Sequence, residues 1–405
     1  MLPRLMAALL LAGCAAALPA SPLAAQTAPQ TAPATDASLP SATCVKPGGW
    51  SDASARPVDT ADLLRRAAEA PVVLLGERHD SADHHRWQLH TLVALHALNP
   101  NLVVGLEMLP RSTQPVLDRW SAGQLSEAEL LKDTNWQKVW GYDAKFYLPI
   151  LHFARMNRLP VVALNVDRGL VSRTAREGWA AIPQGEREGV GNPAPAPSSY
   201  VKRLREAMEA HGPGEAGRES GRERDAESFQ RFVEAQSVWD RAMAERIVDA
   251  NRDTNRTVVA ILGMGHVEGH DGVPFQLADL GISNALVLLP WDPDRPCDSL
   301  DGRVADAVYG LDDTDSPDAT RRPRLGVMLE PGHGGAQIRS VAEGSVAAAA
   351  GLAPGDVVVA AAGSPVRDPS DLSAVVQRQA PGTWLPLTVK REQGTTELVA
   401  KFPAE

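Results

Sequence analysis

The sequence predicts an α/β fold: a mainly parallel sheet flanked by helices, carrying a small helical subdomain, and followed by a smaller β-rich α+β module. Three observations point there. Short, continuous, β-branched apolar runs at residues 72–77, 102–107, 161–165, 257–262 and 285–289 read as strands buried on both faces. Helical stretches alternate with them, the pattern of a doubly wound parallel sheet. After an acidic, proline-bearing stretch at 292–322, a fresh strand pattern begins and runs to the carboxyl end.

Length and composition agree with this organisation. The 405 residues suggest two or three domains, and 44% hydrophobic with 22% charged residues is an ordinary globular mixture. No apolar run reaches the roughly 18 residues of a membrane-spanning helix. With 40 Lys+Arg against 50 Asp+Glu the net charge is −10, a field that repels nucleic acid.

The amino terminus reads as an export signal over residues 1–25. Arg4 precedes a short apolar stretch, Leu5 to Gly13, that is too short to span a bilayer. It ends in Leu11-Ala12-Gly13-Cys14, which resembles a bacterial lipobox; that resemblance implies acylation of Cys14 and a lipid anchor in the cell envelope. Ala15 next to it resembles the outer-membrane sorting class, facing the periplasm. Residues 26–57, rich in Ala, Pro, Thr and Ser, are expected to be a flexible tether. In an oxidising compartment the remaining Cys44 and Cys297 suggest one disulfide, with two unpaired thiols as the alternative.

The first domain is expected over 58–291. Helices are predicted over 83–98, 113–132 and 145–158, between the first three strands. Some ninety residues then separate the strands at 161–165 and 257–262. Within them, 184–199 and 212–228 are Gly/Pro/charge-rich and predicted to be mobile, while 200–210 and 226–251 read as helices of the subdomain. On the second of these, Phe229, Val233, Gln236, Asp240, Met243 and Ile247 share a face. Gln236 and Asp240 interrupt that apolar stripe, as polar residues at a seam or as braces for a site.

In open parallel sheets, loops at the carboxyl ends of strands converge on one crevice. Those ends carry Glu77-Arg78-His79-Asp80, Glu107, Asn165-Val166-Asp167-Arg168 and Gly263-Met264-Gly265-His266. Glu77 and His79, two apart, point the same way from extended backbone. Gly263 and Gly265 are expected to let the chain turn so that His266 faces the crevice. Two carboxylates and two imidazoles suit either a divalent metal or a general acid and base. A Gly-x-Ser-x-Gly elbow and a helical His-Glu-x-x-His site are both lacking.

Several separate motifs carry a resemblance. Leu75-Gly76-Glu77-Arg78-His79-Asp80 with His85 and Gln88, then Gly105-Leu106-Glu107-Met108, Trp136 through Gly141, Phe146 to Leu151, Val162 to Asn165, Ala235 to Ala244 and Gly263 to Val267 resemble, in order, the ChaN family of haem-binding uptake lipoproteins. The resemblance spans about 72–290. It implies a large parallel sheet with a small helical domain, iron uptake, and haem held at a contact between two protomers, with tyrosinate on the iron and basic groups on the propionates. Ferric iron favours a phenolate oxygen, and haem needs an apolar slot with cations at its rim. Of Tyr142, Tyr147, Tyr200 and Tyr309, the last is placed in the acidic linker; Tyr147 and Tyr200 are the candidate ligands. Lys145, Lys202 and His266 are the candidate propionate partners. The wider superfamily, with TIKI proteases and erythromycin esterases, implies a rival reading: a metal-dependent hydrolase using Glu77, His79, Glu107 and His266.

Over 323–405, Arg324-Leu325-Gly326-Val327, Ile338 to Val341 and Gly351-Leu352-Ala353-Pro354-Gly355-Asp356 resemble a PDZ domain. That resemblance implies that amides around Leu325, Gly326 and Val327 cradle the terminal carboxylate of a partner peptide, which adds as a strand. With no His opening the helix near Pro369, an apolar peptide terminus is expected.

Overall fold

The computed structural model describes residues 44–211, 222–312, 323–332, 334–377, 379–391 and 394–403. The expected signal with Cys14, and residues 26–43 of the expected tether, lie outside the described residues. So does 212–221 of the segment expected to be mobile.

The first domain is built on seven strands: β1 (Trp50–Ser51), β2 (Val72–Glu77), β3 (Leu102–Pro110), β4 (Val161–Asn165), β5 (Thr257–Gly263), β6 (Leu286–Trp291) and β7 (Ala307–Gly310). Their order is β1-β7-β6-β2-β5-β3-β4. All neighbours are parallel except β1, which runs antiparallel to β7. The five runs read as strands from their apolar continuity form the body of the sheet. β2, β3 and β5 are buried at every position, as strands covered on both faces must be.

Helices cover the two faces. They are α1 (Thr60–Glu69), α2 (Ala82–Leu98), α3 (Gln114–Ser121), α4 (Glu127–Asp133), α5 (Trp136–Val139), α6 (Leu148–Met156), α7 (Arg168–Glu177), α8 (Ser198–His211), α9 (Arg222–Thr254) and α10 (Val273–Asp279). One face packs α1, α2 and α6 through Leu63, Leu92, Leu95, Ile150 and Leu151. The other packs α9 and α10 through Met243, Ile247, Val273 and Leu277. Each such fully buried side chain contributes about 1.5–3 kcal/mol.

Local chemistry sets the boundaries. Ser81 caps α2 by accepting from the His84 amide. The single helix expected over 113–132 is two, because the chain turns at Gly123 (φ 76°) and Ser126 with Glu129 form a reciprocal capping box that starts α4. The helix expected from 145 starts at Leu148, with Pro149 in its first turn, after a 3-10 turn over Ala144–Phe146.

Two expectations about the ends of this domain differ from the structure. Tyr309 does not lie in a linker but in β7, which pairs with β6 and β1, so the sheet extends past 291 to Gly310. Residues 44–57 are likewise not all tether: Trp50 is buried against Trp87 and Tyr309, and Cys44 is joined to Cys297 across 253 positions of sequence with Cα atoms 5.6 Å apart. Strands this short carry too few residues to show a periodicity. The segment at 184–199, expected to be mobile, is anchored against α7 and α9 by Val190, buried with Trp179, Ile182, Val238 and Ala242, and its last two residues open α8.

The second module is antiparallel: β8 (Val327–Gly332), β9 (Gly335–Val341), β10 (Val357–Ala361), β11 (Ser364–Pro365), β12 (Trp384–Arg391) and β13 (Gly394–Lys401), with α11 (Val346–Ala349) and α12 (Pro369–Gln377). The sheet order is β13-β12-β10-β9-β8, with β11 paired to β10, and it has its own core around Ile338, Val358, Leu372, Leu387 and Val389.

Candidate functional site at the strand ends

In the parallel register Glu77 of β2 stands beside Gly263 of β5, and β3 runs alongside β5 on its other edge. The loops that leave these strands therefore start at one level. Glu77, His79, Glu107 and His266 meet there.

Glu77 is buried and richly partnered. Its Oε1 accepts from the Tyr147 hydroxyl at 2.7 Å and lies 2.8 Å from His79 Nδ1; Oε2 is 3.0 Å from His85 Nδ1. Burial disfavours its charge, but the hydrogen bonds and charges of His79 and His85 outweigh that and hold its pKa down at about 2. His79 then turns its Nε2 toward Glu107 Oε1, 4.0 Å away, with its ring against Trp140 and Tyr142 at centroid distances of 4.6 and 5.1 Å.

Glu107, fully buried, spends one oxygen on the Gly263 amide (2.5 Å). Its Oε1 is buried without a hydrogen-bond partner, 3.6 Å from His266 Nε2. The Asn165 side chain fixes the same residue by donating to the Glu107 carbonyl at 2.8 Å.

His266 is held from behind. Its Nδ1 lies 2.6 Å from Asp240 Oδ1 on α9, and Asp240 Oδ2 accepts from the Tyr200 hydroxyl of α8 at 2.6 Å. The polar interruption in the apolar stripe of α9 is thus a brace. Burial works against the charged His266 ring, but the facing Glu107 and Asp240 carboxylates outweigh it and raise its pKa to about 9. His79 is shifted upward too: burial opposes charge, while the Glu77 hydrogen bond and the Glu107 charge favour it.

Gly263 is needed for closeness rather than for turning. Its φ is −58°, and a Cβ there would meet His79 Cε1 at 2.7 Å. Gly265 has open space around its would-be Cβ and supplies neither effect.

The two tyrosines expected to ligate iron are buried with their hydroxyls engaged. Tyr147 (0% exposed) and Tyr200 (2%) both donate their hydroxyls to carboxylates, and burial plus that adjacent negative charge pushes each phenol's pKa up, away from phenolate. Tyr142, half-buried beside His79 and Trp140, is the tyrosine at the mouth; sequence reasoning counted it without assigning it a role. His266, 8% exposed and committed to Asp240, is not placed to meet a propionate. Lys145 is exposed, and Lys202 is exposed beside Glu206 on α8. Among the described residues no group of three or more His, Cys, Asp or Glu stands in a metal-holding arrangement. Glu77 pairs with His79, His266 with Asp240, and Glu107 with the Gly263 amide.

In the second module, β8 ends the sheet order and borders a groove of about 510 Å³ whose lining includes Leu325, Val327, Leu329, Leu372 and Val376. The Leu325 and Gly326 carbonyls accept from the Ala347 and Ala342 amides and fix the loop ahead of the strand. Gly326 has φ 78°, and a Cβ there would strike Ser345 Cβ at 2.4 Å.

Residues 63–277, more than half of the chain, match the family described as haem-binding uptake, Tiki superfamily, ChaN, and residues 337–391 match the PDZ domain. Among solved structures, the chain is similar to ChaN of Campylobacter jejuni, described with cofacial haem binding. The identity is 22%, the alignment covers 64% of this chain and 95% of that one, and the TM-score is 0.51. It is also similar to the HtrA3 PDZ domain bound to a phage-derived ligand (23% identity; 19% and 82% covered; TM-score 0.18) and to a mutant erythromycin esterase in its open conformation (12%; 57% and 72%; 0.35). No curated protein matches the chain.

Proposed function

Because the chain belongs to the ChaN haem-binding uptake family of the Tiki superfamily, we propose that its first domain binds haem at the mouth of the strand-end cluster, serving iron uptake without itself doing chemistry on a substrate. The observation that carries this reading, beside membership, is the aromatic mouth: His79, Trp140 and Tyr142 packed together at the edge of the buried cluster, with the His79 side chain 26% exposed. These residues fit the group. Tyr142 would hold the iron, since a phenolate suits ferric haem. The buried Trp140 would back the His79 and Tyr142 rings, and the exposed Lys145 is the candidate rim cation for a propionate. Haem would supply the bound iron; the protein's own part is to orient the His79 ring through Glu77 and keep water from the buried carboxylates. A haem face left open at such a mouth is consistent with a pair of protomers sharing it.

The groove beside β8 would take the apolar carboxyl terminus of a protein partner by strand addition, because Leu325, Val327, Leu329, Leu372 and Val376 in its lining are aliphatic. Acylation of Cys14 would hold the protein on the envelope membrane, and Ala15 beside it would direct it to the outer membrane, facing the periplasm. The Cys44–Cys297 disulfide supports an oxidising compartment.

A second reading has one observation in its favour. The partnerless Glu107 Oε1 lies near two imidazole Nε2 atoms, a carboxylate and two imidazoles poised for acid–base hydrolysis. Spectrophotometric titration of the full chain with ferric haem separates the two. The haem reading expects a saturable Soret change, weakened in Tyr142→Phe; no saturable change, together with ester or peptide hydrolysis lost in Glu107→Gln, would establish the rival.

A further inference from the structure

The loop that follows β6 touches both histidine-bearing loops of the site. Asp292 Oδ1 and Oδ2 lie 3.0 and 3.2 Å from His84 Nε2, and the His84 Nδ1 accepts the Arg78 amide at 2.9 Å. The amide of Arg78 is the link between Glu77 and His79. His84 is fully buried, so accepting at Nδ1 and donating from Nε2 fixes both its ring orientation and its tautomer. Asp292 also pairs with the Arg78 guanidinium at 3.3 Å. Three residues on, Arg295 donates to Glu268 Oε1 at 2.5 Å and reaches Met264 Sδ at 3.3 Å, gripping the 264–268 turn on either side of His266. The Arg295 guanidinium rests on the Trp291 ring, 4.1 Å from its centroid. Two residues further, Cys297 is covalently joined to Cys44.

We infer that Asp292 and Arg295 are positioning residues for His79 and His266, and that the Cys44–Cys297 disulfide anchors the loop that carries them, so that the redox state of this bond regulates the site. The inference deepens the proposed function and rests on the reading of the strand-end cluster as the functional site. The two histidines come from different loops, and this one segment contacts a neighbour of each: Arg78 beside His79, and Met264 and Glu268 on either side of His266. Reduction by a dithiol would break the S–S bond with two electrons and two protons, giving two thiols, while the dithiol closes to its own disulfide. The loop would then lose its covalent tie to Cys44 and keep its polar contacts and the stacking of Arg295 on Trp291, and those polar contacts orient the groups that flank Glu107.

The test uses the full chain with its disulfide intact and after treatment with a dithiol. It reads the NMR ring resonances of His79 and His266 and the haem dissociation constant. Reduction is expected to move both ring resonances and weaken haem binding about tenfold. With the disulfide intact, Asp292→Asn is expected to move the His79 resonance and Arg295→Gln that of His266, and Asp292→Glu to restore the first. Reduction should add little more in Asp292→Asn, because both changes act through one segment. Ring resonances unmoved by reduction overturn the inference whether or not haem binds. Moved resonances in a chain that binds no haem uphold it and sink the haem reading instead. Should the reduced chain unfold, Asp292→Asn decides: a His79 resonance that stays put overturns the positioning role.

Discussion

Asp240→Asn strikes the brace behind the site while nearly preserving shape. In the native protein His266 is raised from its ordinary 6.5 to about 9, with the Glu107 charge the leading upward cause and Asp240 contributing both charge and a hydrogen bond. A rise of that size corresponds to on the order of 3 kcal/mol favouring the imidazolium. The sign follows directly: a raised folded-state pKa adds stability in full below 6.5, and that stability is lost as pH climbs through about 9. The amide in Asp240→Asn can still accept from the Tyr200 hydroxyl but carries no charge. The His266 pKa should therefore fall by about one pH unit or more, and stability near neutral pH should drop by about 3 kcal/mol, the lower end for breaking a buried pair. The assays are a histidine NMR titration and urea unfolding across pH 6–9 for both proteins. Native stability should decline relative to the variant's over that window. An unchanged His266 pKa in Asp240→Asn, or parallel pH profiles of the two proteins, would refute the reasoning.

Further outcomes follow from the same geometry. Glu77, held at about 2 against an ordinary 4.5, contributes stability present above 4.5 and lost as pH falls toward 2; Glu77→Gln should flatten acid unfolding in that range. Gly263→Ala places a methyl at 2.7 Å from the His79 ring, so it should destabilise by about 1–3 kcal/mol and displace the His79 resonance, while Gly265→Ala, with open space, should do neither. In the second module, Val376→Asp puts a charge into the aliphatic groove lining; it should abolish binding of apolar carboxyl-terminal peptides, measured by fluorescence anisotropy, and leave haem titration unchanged.

Much of this was legible in the sequence for physical reasons. Strands buried on both faces have no polar positions, so 72–77, 102–107 and 257–262 announced themselves, and parallel register then required Glu77, Glu107 and His266 to share one rim. Asp240 was legible as a break in a helical stripe, although its partners Tyr200 and His266, 40 and 26 positions away, were not. The partners of Tyr147 and Tyr200 were not legible, because a position in the sequence does not disclose what a hydroxyl donates to. Both donate to carboxylates that the fold brings from other elements. Asp292 and Arg295 were hidden by composition: in an acidic, proline-bearing stretch, a carboxylate that meets a buried imidazole looks like every other one. Tyr309 was lost in the same stretch, since a four-residue strand such as β7 offers no alternation to detect.

The central claim is that haem sits at the mouth formed by His79, Trp140 and Tyr142. Resonance Raman spectroscopy of the ferric complex tests it most directly. Tyrosinate–iron vibrations should be present in the native protein, persist in Tyr147→Phe and Tyr200→Phe, and vanish in Tyr142→Phe. Vibrations that survive in Tyr142→Phe, or vanish in Tyr147→Phe instead, would contradict it.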